Sequence, residues 1–196
     1  MLNPKVPYHH GEQPVDSSLD FAEDLHAKFV QELRLRRMKH LGPNEMIGLL
    51  YSYVQSGTLA RSNSADSSQA RFIAACDKVL AQESEQISAS DMDMLFSLYD
   101  MMRQQGCENC LTTKLLLKLQ RRILKLYDWA DSSQSQADRL SINTFAFICR
   151  IFAEEAVTMT DLFEELALSL DTRLEELDES GFVNTYVALM THRIHA

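Results

Sequence analysis

Residues 140–152 read LSINTFAFICRIF, and residues 177–189, thirty-seven positions further on, read LDESGFVNTYVAL. Two earlier stretches take the same form: LGPNEMIGLLYSYV from Leu41 and ISASDMDMLFSLYD from Ile87. In register, each begins with an apolar residue and continues with Gly42, Ser88, Ser141 or Asp178. These are residue types that start helices, because a short side chain or bare backbone relieves the unpaired N–H groups of the first turn. Four residues after each cap stand Met46, Met92, Phe145 and Phe182. An apolar residue before the cap and another at the fourth helical position form a hydrophobic staple, which sets how the chain enters the helix. Pro43 at the first helical position and Glu45 and Asp91 at the third reinforce two of the starts.

The apolar face then runs through Leu49, Leu50 and Tyr53, through Leu95, Phe96 and Tyr99, and through Ile148, Cys149 and Phe152. In the fourth copy it runs through Tyr186 and Leu189, with Thr185 as a polar departure. Each capped helix is preceded by another segment of helical period: LDFAEDLHAKFVQELRLRRM from Leu19, ARFIAACDKVLAQ around Phe72, LTTKLLLKLQRRILKLYDW from Leu111, and TDLFEELALSLDTRL from Thr160. The unit is thus a helical hairpin written about four times, over residues 19–57, 66–106, 111–157 and 159–196. Two Ser/Gln-rich segments, Arg61 to Gln69 and Asp131 to Asp138, read as loop insertions that lengthen the first two intervals. The expected fold is all-α, an α-solenoid of stacked hairpins in one domain over 19–196, preceded by an extended arm at 1–18.

Composition agrees. Six Gly and four Pro in 196 residues leave little material for a turn-rich β fold. A net charge of −9 argues against a surface that coats nucleic acid generally, so any polyanion contact is local. No apolar run reaches the roughly 18 residues that span a bilayer, so no membrane partner is expected. Four cysteines without a secreted disulfide spacing point to a reducing compartment.

The last repeat, DLFEELALSLDTRLEELDESGFVNTYVALMTHRI, resembles the heptatricopeptide-like repeat of the FAST-kinase and RAP-domain proteins. That pattern, an LF..LA helix, an apolar capped turn and a helix carrying F....AL, is matched by Leu162, Phe163, Leu166, Ala167, Leu177, Phe182, Ala188 and Leu189. The resemblance implies an organellar ribonucleoprotein context, and with the solenoid architecture the expected role is a non-catalytic scaffold or adaptor in an assembly such as the mitochondrial ribosome or an RNA-processing complex. It implies a mitochondrial location; the alternative is the cytoplasm, and the expected partners are protein subunits of a larger complex. A purely protein-binding helical adaptor without RNA is the rival reading.

Lys114, Lys118, Arg121, Arg122 and Lys125 recur at helical spacing and fall along one side of one helix. Arg34, Arg36, Arg37 and Lys39 close the first helix, where cations also suit the helix dipole. Both clusters are open to three readings: a solvated face, contact with RNA phosphate or another anion, or docking of an acidic protein. Residues 154 to 179 hold ten acids against one base, Arg173, a surface suited to a basic partner, with Glu164, Glu165, Glu175 and Glu176 as candidate contacts. Trp129 beside Tyr127 reads either as an interface anchor or as a core residue closing a helix end.

Catalytic patterns are lacking. The chain has no GxGxxG, P-loop, HExxH or GxSxG. Cys107 and Cys110 form a single CxxC with no second pair at zinc-finger spacing, and they are the metal candidates. Cys76 and Cys149 fall on apolar helix faces and read as small core residues. His9, His10, His192 and His195 read as solvated. No enzyme activity, cofactor or small-molecule substrate is expected.

Overall fold

A computed structural model of the chain describes residues 41–55, 68–104, 113–127, 138–157 and 159–195. All of them belong to one unit, Arg37–Ala196. The arm, the helix expected from Leu19, Arg34, Arg36, Arg37, the Cys107/Cys110 pair, Trp129 and most of the two Ser/Gln-rich segments lie outside the described residues.

The described chain is all-helical. Its helices are α1 (Pro43–Gln55), α2 (Ser68–Gln82), α3 (Ala89–Gln104), α4 (Thr113–Tyr127), α5 (Ile142–Glu154), α6 (Thr160–Arg173) and α7 (Glu179–His195). Single 3-10 turns, Ser84–Gln86 and Leu174–Glu176, precede α3 and α7. α2 starts at Ser68, two residues inside the segment expected to be loop.

The repeat register is present at all four capped starts. The cap carbonyl accepts the N–H four residues on in each: Gly42 from Met46 at 3.1 Å, and Ser88 from Met92, Ser141 from Phe145 and Asp178 from Phe182, each at 2.9 Å. Three cap side chains also accept from the third helical N–H: Ser88 Oγ from Asp91 at 3.2 Å, Ser141 Oγ from Thr144 at 3.1 Å and Asp178 Oδ1 from Gly181 at 2.6 Å. The approach to the cap repeats as well. Ile87 (φ −68°, ψ 126°) and Leu177 (φ −74°, ψ 127°) share one extended conformation after their 3-10 turns. Local chemistry within about five residues therefore sets these starts.

Packing links α1 to α3, α3 to α5, α5 to α7, and α2 to α4. α1 also meets α2, and α5 meets α4 and α6. With neighbours on several sides, α5 is apolar nearly all round, burying Ile142, Phe145, Ala146, Ile148, Cys149, Ile151, Phe152 and Ala153. Phe96 of α3 meets Phe152 of α5 at 5.8 Å between ring centroids, and Tyr127 of α4 stacks on Phe145 at 3.9 Å. Each such aromatic contributes on the order of 1.5–3 kcal/mol by leaving water. α5 ends where Ala156 turns left-handed (φ 52°) and the Val157 N–H donates back to the Phe152 carbonyl at 3.1 Å, which satisfies a carbonyl of the last turn.

The fourth copy departs from the expected face. Phe182 is 60% exposed and Tyr186 61%, whereas Thr185 is buried at 5%. α7 instead buries Gly181, Thr185 and Ala188. Small residues let two helix backbones approach closely, and α5 with α7 is the most extensive helix pair among the described residues. The hydrophobic staple holds in the second and third copies, where Ile87, Met92, Leu140 and Phe145 are all buried. It fails in the fourth, because Phe182 faces outward.

Candidate functional site

α4 owes its position to its own sequence. Leu115, Leu116, Leu119, Ile123 and Leu126 are buried, so the strip between them turns outward and carries Lys114, Lys118, Arg121 and Lys125, all exposed. From Lys114 to Lys125 the strip covers about 16 Å at the rise of an α-helix. Arg122 leaves this set. Its Nε donates to the Ile87 carbonyl at 2.8 Å, tying α4 to the turn before α3. The sequence groups Arg122 with the other cations of α4 because helical spacing alone does not reveal a carbonyl brought close by folding.

The acidic segment is divided in the same way. Glu154 and Glu155 are engaged across α3 and α5: Arg103 pairs with Glu154 and lies 3.6 Å from Glu155. Arg150 reaches Asp100 at 3.1 Å and Glu154 at 3.7 Å. Five charges thus clamp two neighbouring copies. Glu176 is held by the Arg173 guanidinium at 3.0 and 2.7 Å, and that hydrogen-bonded pair lowers its carboxyl below the usual range. Glu165 is half-buried. Glu164 and Glu175 remain exposed.

Tyr127, expected at a protein interface, is in the core instead. Its ring stacks on Phe145 and the Arg173 guanidinium lies 5.4 Å above it. Burial pushes its phenol up, and Ser169 and Arg173 oppose that shift. His192 is not simply solvated either, since its ring stacks on Phe163 at 4.0 Å and joins α7 to α6.

A contact absent from the sequence reading lies at the start of α7. Asn143 of α5 donates through Nδ2 to the Glu176 carbonyl at 3.2 Å and accepts the Asp178 N–H at 3.1 Å through Oδ1. Gly181 leaves the room for it, as a Cβ there would sit 1.9 Å from Asn143 Oδ1. The signal was a glycine inside a helical pattern, which marks close backbone approach.

The described residues contain no group of three or more His, Cys, Asp or Glu placed to hold a metal ion. A void of about 10 Å³ lined by Leu50, Asp77, Leu95 and Tyr99 has room for at most one water. Cys76 and Cys149 are buried, as expected of core residues, and burial pushes the Cys76 thiol up to about 12 and the Cys149 thiol up as well. Such thiols are poor nucleophiles, because the thiolate is the reactive form. No described helix is long and apolar enough to cross a membrane. No protein-family model, curated protein or solved structure matches the chain.

Proposed function

We propose that this chain is a non-catalytic scaffold, an α-solenoid of stacked helical hairpins that serves as a subunit of a ribonucleoprotein assembly. The observation that carries the proposal is the outward strip of α4, where Lys114, Lys118, Arg121 and Lys125 stand exposed on a helix anchored by its opposite face. A rigid line of cations suits phosphate, which it contacts without reading bases. The fourfold cap register and the packing of alternate helices support the solenoid. The organellar setting, such as the mitochondrial ribosome or an RNA-processing complex, rests on the resemblance of residues 161–194 to the heptatricopeptide-like repeat. Trp129 and the arginines before Lys39 are further proposed contacts.

A second reading, an adaptor for proteins only, is favoured by the net charge of −9 and by the exposed Glu164 and Glu175. Purification from the native source at low salt, with and without ribonuclease, separates the two. RNA and RNA-binding proteins that co-purify and depart on ribonuclease treatment support the first reading. A partner set unchanged by ribonuclease supports the second. With RNA bound, Lys118→Glu together with Arg121→Glu weakens binding and flattens the dependence of log affinity on log salt by about 1.4, the value for two contacts to a single strand.

A further inference from the structure

The exposed side of α7 carries an order of its own. Glu179, Phe182, Tyr186, Met190 and Arg193 follow one another at intervals of three, four, four and three residues, which places them on one face. All five are exposed, Phe182 at 60%, Tyr186 at 61% and Met190 at 44%, and Val183 beside them is exposed at 58%. A row of large apolar side chains open to water is costly for a helix that already packs its other side on α5. The intervals read the same in both directions about Tyr186.

We infer that this face is the interface of a homodimer, in which α7 of one copy packs antiparallel against α7 of a second. When two identical helices meet antiparallel on a two-fold axis through Tyr186, each residue faces its mirror position. Tyr186 then meets Tyr186, Phe182 meets Met190, and Glu179 meets Arg193. The aromatic ring against the thioether is a favourable contact. The charges at the ends are opposite, and neither Glu179 nor Arg193 forms an ion pair among the described residues. Each charge also suits its own end of the helix, the acid in the first turn and the base near the last. A parallel pairing would set Glu179 on Glu179 and Arg193 on Arg193. The face is therefore complementary to itself in one orientation, as an isologous contact requires.

The strip is about 21 Å long, so it buries less than a standard-sized interface. This inference is independent of RNA binding, because α4 supplies none of the contacts.

The test is sedimentation equilibrium of the full chain from low to high micromolar concentration. The wild type is expected to double in mass, and Phe182→Ser with Tyr186→Ser to stay monomeric. Both changed residues are exposed, so thermal unfolding should show the variant folded. Glu179→Arg and Arg193→Glu make the decisive pair. Each alone puts like charges together at both ends of the dimer and weakens it on the order of tenfold. Mixed in equal amounts, they form a heterodimer with opposite charges at both ends, and the doubled mass returns. A wild type that stays monomeric overturns the inference. So does a dimer that survives Phe182→Ser with Tyr186→Ser, or a mixture no more associated than its two components.

Discussion

α5 and α7 begin alike and end differently. The Ser141 carbonyl accepts the Phe145 N–H at 2.9 Å, and the Asp178 carbonyl accepts the Phe182 N–H at the same distance. Yet Phe145 is fully buried and Phe182 is 60% exposed. Elements on several sides cover α5, whereas α7 packs on α5 and α6 and leaves one side open. The two contacts are also built differently. α3 and α5 meet through Phe96, Phe152 and a cluster of ion pairs, while α5 and α7 meet through Gly181, Thr185, Ala188 and the Asn143 hydrogen bonds. A repeated helix start does not produce a repeated interface, because the start is local and the interface depends on what lies opposite.

The comparison breaks most readily at its two aromatics. Phe145→Ala should cost about 3–5 kcal/mol, since it opens a cavity beneath the Tyr127 ring. Phe182→Ala should change the stability of the single chain by no more than about 0.5 kcal/mol, as an exposed position does. Denaturant unfolding at low protein concentration measures both, and similar losses would show that α7 is covered after all.

The next largest effect falls on close approach. Gly181→Ala should cost roughly 1–3 kcal/mol, because the added methyl displaces Asn143 Oδ1 from the Asp178 N–H. Asn143→Ala should lose about 1–3 kcal/mol on its own. The double substitution should cost less than the sum of the two, since both remove one contact. Full additivity in a double-mutant cycle would separate glycine from asparagine and undo this account of the α5–α7 contact.

Caps should give a smaller and more even result. Ser141→Ala and Asp178→Ala should each cost about 1 kcal/mol despite the unequal burial of their helices. A loss confined to Ser141→Ala would mean that packing, and not the cap, defines the start of α7.

The smallest effect near neutral pH concerns the buried thiols. Burial raises Cys76 from 9.0 to about 12, so the folded chain keeps this proton after the unfolded chain has lost it. Its contribution is complete below pH 9.0 and is lost as pH rises through about 12. A stability profile in that range, with alkylation followed by peptide mass, checks this. Cys76 and Cys149 should react only on unfolding, and rapid labelling of the native protein would show that α2 and α5 open locally.

The caps at Gly42, Ser88, Ser141 and Asp178 were legible in the sequence because each is a bargain among five consecutive residues. The outward strip of α4 was legible too, since one strongly two-sided helix states its own orientation. Arg122 and Tyr127 were not, because the Ile87 carbonyl and the Phe145 ring come to them from other helices.

The sequence by itself determined that the described segments are helical, where the capped helices begin, and that Lys114, Lys118, Arg121 and Lys125 share one side of α4. Tertiary structure alone decided that α7 turns Gly181, Thr185 and Ala188 inward and Phe182, Tyr186 and Met190 outward. A helix start is settled by hydrogen bonds within one turn, whereas a helix with apolar groups on one side and small groups on the other is oriented by the close approach its neighbour permits. Gly181 leaves room for Asn143 of α5 on the side that α7 turns inward.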